Sequence, residues 1–447
     1  MGQFVSLLLK KYNMHRKILN IAIPSILTNI TTPLLGLVDS AIVGHLGCAC
    51  YIAAIALGTT LINMAYWGFG FLRMSTGGLA AQALGRGDEM ELRTILMRSL
   101  SWALAIALGL LLFHRPILDV VLLLTSADQE IEQFASVYFN IVVLGAPAVL
   151  TISSICGWFI GRQNARIPLY IAVLQNVLNI IASVFFVFGC DMKIEGVAWG
   201  TVLSQYVAMF FAIYVVIRQE HIHNIRLAMK SLKRSDFFNR QFAVSNRDIF
   251  LRSVLILAVT SFFTFAGAKQ GEVVLAANAL LMQLFLLFSY FMDGFAYAAE
   301  ALCGHSYGAK NIERSQKTIR ALWVWGIVCA LFTSIVYASA GSMIFSVLTD
   351  VVSVQEKALQ FLPYMSVVPL LGFLAFIYDG VFIGTLQTRA MLQTIVVATL
   401  SFFVVYYATV THLGNHGLWL AFLVYLSIRS VVAIGLNRKY NICCGLG

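Results

Sequence analysis

The sequence predicts an all-α polytopic membrane protein with twelve transmembrane helices in two pseudo-symmetric six-helix lobes. Composition, the spacing of apolar runs and an internal repeat carry that prediction. Of 447 residues, 60% are hydrophobic and 11% charged, where soluble domains hold roughly 45–50% and about 25%. A soluble globular chain is thereby excluded, and so is a disordered one, which needs low hydrophobicity. Apolar runs bounded by polar loops fall at 18–43, 52–84, 95–113, 132–160, 167–189, 195–217, 249–268, 273–303, 318–340, 358–384, 391–411 and 416–436. They match the ~20 residues that cross a bilayer as helix. Barrel strands would instead show alternation over ~10 residues.

Twelve spans return the chain to its starting side, and the positive-inside rule identifies that side. Of the 30 Lys and Arg, 24 lie in the two termini and the even-numbered loops. Only Arg115, Lys193, Lys269 and Lys357 lie on the other side, while Arg73 and Arg429 fall within spans. Both termini are therefore expected in the cytoplasm. The net charge of +10 reflects topology and implies no nucleic-acid partner. The first run begins at Ile18 and is too long for the apolar region of a signal peptide, so it counts as a span.

A shift of 223 residues superposes parts of the chain on itself. Phe159-Ile160-Gly161 falls on Phe382-Ile383-Gly384, Gly157 on Gly380, Arg166 on Arg389 and Gly85 on Gly308. With six spans each, the halves enter the membrane in the same orientation, a parallel repeat of the kind found in secondary transporters. The domains are read as an amino-terminal lobe at 1–217, a basic cytoplasmic linker at 218–248 and a carboxyl-terminal lobe at 249–447. RLAMKSLKRSDFF in the linker suits a surface amphipathic helix, although a plain tether is the simpler reading. The eight Cys show no CxxC pair and no zinc spacing, and Cys48 and Cys50 lie too close together for a bridge to be expected. No metal or cofactor is implied.

An ionised side chain at the bilayer centre costs at least about 2.5–3.5 kcal/mol, so it usually has a partner or a task. Asp39, deep in the first run in LLGLVDSAIV, has no basic neighbour in sequence. It suits a group that takes up and releases a proton, or one that only hydrogen-bonds an adjacent helix. Asp293, Glu300 and Asp379 lie towards the cytoplasmic ends of the eighth and tenth runs. The 223 shift sets Arg73 opposite Ala296, one turn from Asp293, which suggests a charge-compensated cluster of Arg73, Asp293, Glu300 and Asp379. Arg429 is expected to snorkel. Asn63, Gln175, Asn176, Asn278 and Gln283 read as amides joining helices. No GxxxxGK[ST], HExxH, GxSxG or GxGxxG pattern is present, and His45, His412 and His416 fall at outer helix ends, so no enzyme is expected.

Five stretches point to a family. IPSILTNITTPLLGLVDSAIVGHLG (23–47) resembles the first helix of the multidrug and toxic compound extrusion (MATE) transporters. FLRMSTGGLAAQALGRGD (71–88), YFMDGFAYAAEALCGHSYGA (290–309) and YDGVFIGTLQTRAML (378–392) resemble its DinF-like branch. GWFIGRQNARIPL (157–169), followed by GVAWGTVLSQ (196–205), fits the same family in order and spacing. The resemblance implies a V-shaped pair of six-helix lobes in the bacterial inner membrane. It also implies monomeric export of small cationic or amphipathic organic compounds by antiport against an inward cation.

By the same resemblance, Asp39 belongs to a cation-coupling network with Tyr138, Asn179 and Thr201, and Pro24 matches a proline at which the first helix bends. Ser183 stands where some relatives carry a second acid. The acid that the NorM-like branch uses in its carboxyl lobe is missing from IFLRSVLILAVTSFFTFAGA. The first departure favours H+ as the coupling ion, with Na+ as the alternative, and the second argues against a copy of the NorM-like branch's cation site. A flippase for lipid-linked precursors of the same superfamily is the rival, weakened because Arg73 and Arg429 are the only basic residues within spans.

Overall fold

The computed structural model describes residues 2–44, 49–122, 129–231 and 240–439, all in helices or short connections with no strand among them. The helices are α1 (Gly2–Gly44), α2 (Ala49–Trp67), α3 (Phe71–Arg86), α4 (Glu89–Leu122), α5 (Gln129–Val142), α6 (Ala146–Gly161), α7 (Arg166–Val184), α8 (Ile194–Glu220) and α9 (Ile222–Ser231). They continue with α10 (Arg240–Ala268), α11 (Glu272–Gly308), α12 (Ile312–Leu348), α13 (Val352–Gly384), α14 (Thr388–Leu413) and α15 (Asn415–Lys439). All twelve apolar runs fall in helices. Among the described residues, ten segments are long and apolar enough to cross a membrane, α2 and α3 together form a bent eleventh, and α1 contains the first run.

Two runs are interrupted for local reasons. Gly68 and Gly70, both poor helix formers, flank the turn between α2 and α3. A 3-10 turn at Val143–Gly145 separates α5 from α6, because Pro147 enters α6 at its first turn and has no N–H for the carbonyl of Val143. In the linker, the described part is helical: α9 packs on α4 and buries Ala228 among Leu92, Ile95 and Val216. Residues 232–239 lie outside the described residues. Cys50 is disulfide-bonded; the expectation about a Cys48–Cys50 bridge falls on Cys48, which lies outside the described residues, as does His45.

The chain forms two compact units, Met1–Ile26 with Ala243–Gly447, and Leu27–Phe242. The division falls within α1, two residues beyond Pro24, so the first 26 residues belong with the second half of the chain. The larger core of the first unit is aromatic, with Phe263, Phe402, Trp419 and Phe422 at 0–1% exposure. In the other unit, α3 and α4 pack on α6, α2 on α5, and α7 on α8.

The 223-residue repeat is written into the backbone of each unit. A Cβ on Gly157 would lie 2.2 Å from the Arg73 carbonyl oxygen, and one on Gly380 would lie 2.1 Å from that of Ala296. Gly161 approaches the Gly77 oxygen in the same way and Gly384 approaches that of Glu300, at 2.5 and 2.3 Å. In both pairs the residues approached are again 223 apart. The left-handed backbone positions repeat too: Gln163 with Leu386 (φ 63° and 56°), Gly87 with Lys310 (72° and 53°), and Asp191 with Gly414 (54° and 52°). The α3–α6 and α11–α13 contacts are thus one design used twice, in which glycine lets two helix backbones touch. Gly157→Ala and Gly380→Ala are each expected to destabilise their unit by at least about 1–3 kcal/mol through overpacking, read as a lower melting temperature in detergent. An unchanged melting temperature for both would show that the helices separate without cost.

Candidate functional site

The polar residues expected around Asp39 come together in the unit Leu27–Phe242. Asp39 on α1 is 5% exposed and Tyr138 on α5 is 4% exposed. Asn179 and Ser183 on α7 are fully buried, and Thr201 on α8 is 6% exposed. Asn179 Nδ2 donates to Thr201 Oγ1 at 2.9 Å, while that hydroxyl donates to the Val197 carbonyl at 3.0 Å. The Tyr138 hydroxyl is hydrogen-bonded with Thr59 and Thr201 and lies within the field of the Asp39 carboxylate. Five helices therefore contribute to this group, α2 through Thr59, with Thr201 at its centre.

Local packing explains these positions. The Tyr138 ring lies against Gly58 of α2, where a Cβ would come within 2.6 Å of it. At Gly200 the backbones of α7 and α8 touch, a Cβ there falling 2.7 Å from the Ser183 nitrogen, which sets Thr201 beside α7. Asn176 Nδ2 donates to the Thr31 carbonyl at 3.1 Å, tying α7 to α1 below Asp39. Asp39 Oδ1, Asn179 Oδ1 and Ser183 Oγ are buried with no hydrogen-bond partner among the described residues. Such acceptors are costly to leave unpaired, and this group can therefore take a proton or a small cation. Thr59 and Gly58 were missed from sequence; the clustered small and polar GTT at 58–60 within an apolar run was the available signal.

Of the residues expected to form a charge cluster, Asp379 has defined ion partners. Asp379 on α13 accepts from both Arg252 of α10 and Arg429 of α15, each through Oδ2. Arg429 is 4% exposed and lies over the Phe376 ring at 5.5 Å, so it does not snorkel; its carboxylate partner holds it in the core. Asp293 is close enough to act on the Arg429 charge. Glu300 on α11 is fully buried. Arg73 belongs to α3 of the other unit, where its carbonyl faces Gly157. That unit has an ion cluster of its own: Glu220 at the end of α8, 3% exposed, accepts from Arg93 at 2.5 Å and from Arg162, and Arg162 lies 4.5 Å over the Trp158 ring. Sequence separations of 127 and 58 residues hid this clamp.

Comparison with known proteins decides the family. The MatE family profile matches residues 24–185 and 249–408, and DNA damage-inducible protein F of Escherichia coli K12 is 35% identical over 94% of this chain and 91% of its own. The chain belongs to the MatE family. Another relative is the probable multidrug resistance protein NorM of Thermotoga maritima, 23% identical over 72% of this chain and 69% of its own. Among solved structures, an outward-facing multidrug resistance MATE family transporter matches with a TM-score of 0.87 at 19% identity, with 96% of each chain covered. A MOP superfamily transporter from Pyrococcus furiosus matches at 0.86 and 18%, again with 96% of each covered. Both likenesses concern the fold. As a MatE protein the chain is a multi-pass membrane transporter and not an enzyme.

Within this MatE chain, the unit Met1–Ile26 with Ala243–Gly447 shows what the unit Leu27–Phe242 would look like without the polar group. The 223 shift carries Asp39 to Phe262, Tyr138 to Phe361, Asn179 to Phe402, Ser183 to Tyr406 and Thr201 to Val424. Phe262 meets Phe402 edge-on at 6.0 Å between ring centroids and Tyr406 at 4.9 Å. Positions that carry the polar network in one unit are thus largely aromatic in the other. Conversely, Asp379, Arg252 and Arg429 map to Cys156, Asn29 and Tyr206, so the buried ion cluster also has no twin.

Proposed function

We propose that this MatE protein exports small cationic or amphipathic organic compounds by antiport, with H+ exchanged at Asp39 as the coupling step. The observation that carries this reading is the contrast between Asp39, Tyr138, Asn179 and Thr201 and their aromatic counterparts. The fold tolerates an apolar core at those positions, so the buried carboxyl is not a requirement of packing. It stands where a proton can be exchanged, and hydrogen bonds through Tyr138, Thr201 and Asn179 pass the change in charge to α5, α8 and α7. Pro24 leaves the Asn20 carbonyl without its helical donor and gives α1 a place to bend in response. We assign the protein to the bacterial inner membrane as a monomer, with both termini cytoplasmic on the basic-residue split. A gradient of about two pH units supplies about 2.7 kcal/mol per proton, enough for roughly hundredfold accumulation at one-for-one exchange.

One observation favours Na+ instead. Asp39 Oδ1, Asn179 Oδ1 and Ser183 Oγ are oxygen ligands of the kind a hard cation takes, and all three lack partners among the described residues. Ser183 in place of a second acid weighs against it by lowering the charge available. Efflux of a fluorescent organic cation from proteoliposomes, under imposed pH and sodium gradients in turn, separates the two. Efflux driven by pH alone is expected. Efflux driven only by sodium overturns the ion assignment, and a folded protein inert under both gradients towards several cations overturns the export reading.

A further inference from the structure

The carboxyl-proximal unit carries a groove that neither the coupling group nor the ion cluster uses. Near the start of α14 lies a recess of about 240 Å³ lined by Arg247, Asp248, Arg389, Gln393 and Val397. A second, apolar groove of about 360 Å³ continues from Val397 between α14 and α15, past Leu400, Val404 and Ile428. Val397 is common to both, so one channel runs from a basic mouth into an apolar track. Leu400 and Val404 are 62% and 69% exposed on its wall. From Arg389 to Val404 the helix rises about 22 Å, more than the ~15 Å depth of one leaflet's hydrocarbon.

The charges at the mouth are unequal. Buried Asp248 accepts from Arg247 at 2.8 Å and from Thr388 at 3.3 Å, which leaves the Arg247 guanidinium neutralised and 64% exposed. Arg389 has no hydrogen bond or ion pair among the described residues. It sits at the second residue of α14, where the helix dipole opposes a cation and the first N–H groups have no helical acceptor. An anion placed there would meet two guanidiniums and the helix end together. An anionic head joined to an acyl chain is what such a channel recognises.

We propose that this channel binds an anionic phospholipid, its phosphate at Arg389 and Arg247 and one acyl chain along Val397, Leu400 and Val404. The test uses the full chain, purified in detergent and offered equal amounts of phosphatidylglycerol and phosphatidylcholine with identical acyl chains, with bound lipid read by native mass spectrometry. The wild type is expected to retain phosphatidylglycerol in preference by about fivefold or more for the unpaired arginine. Arg389→Glu should abolish the preference, and Val397→Trp, which fills the junction, should lower retention of both lipids. No preference in the wild type would overturn the proposal, as would a preference unchanged in Arg389→Glu or retention of both lipids unchanged in Val397→Trp. Full displacement by excess inorganic phosphate would overturn it in favour of a free-anion site. Should Arg389→Glu fail to fold, Arg389→Ala and Val397→Trp carry the same comparison.

Discussion

Asp39→Asn is expected to leave the protein folded and to collapse substrate accumulation under a pH gradient from about hundredfold to one. The amide keeps the shape of the carboxyl and can still hydrogen-bond, but it neither takes up nor releases a proton. Folding should survive because the position tolerates loss of charge: its twin is Phe262, packed on Phe402 and Tyr406. Tyr138→Phe and Thr201→Val should lower the rate while retaining pH dependence, since each removes a hydroxyl and its hydrogen bonds but leaves the Asp39 carboxyl in place. Transport at wild-type levels in folded Asp39→Asn, measured as dye efflux from proteoliposomes, would remove Asp39 from the coupling step.

The second large effect lies in the ion cluster and is one of stability. Asp379→Ala leaves Arg252 and Arg429 buried at 12% and 5% side-chain exposure without their shared carboxylate. Breaking a buried pair from one side costs about 3–5 kcal/mol, so the variant should melt well below the wild type or fail to accumulate. Adding Arg429→Met removes one of the stranded charges and should recover a substantial part of that loss, because a buried ion group can be replaced by apolar side chains at little cost. Strict additivity of the two substitutions in thermal melts would mean that Asp379 and Arg429 do not act on one another.

Most of the fold could be read from the sequence because the membrane demands it. A span must be apolar for its whole length, and the twelve runs all lie in helices. The interruptions were harder to read, since the turn at 68–70 and the 3-10 segment at 143–145 depend on one or two Gly or Pro residues inside otherwise apolar stretches. The group around Asp39 was legible through family resemblance, whereas Thr59 was not, because a lone threonine in an apolar helix ordinarily bonds its own backbone. Ion partners were the least legible. Arg252 lies at the margin of its run and reads as a loop cation, and nothing in the local sequence joins it to Asp379, 127 residues away.

The glycine contacts at Gly157 and Gly380, with the three paired left-handed residues, mean that the chain carries its own reference copy. Where the copies agree, as at the four glycines, the residue answers to the path of the backbone. Where they disagree, as at Asp39 and Phe262 or Asp379 and Cys156, equivalent positions of the repeat have been given different chemistry. A duplicated scaffold of this kind lets each copy carry its own buried polar or charged group at positions where the other copy carries different side chains. It also gives each copy's specialised residues a ready-made control: the twin's side chain, already compatible with that backbone.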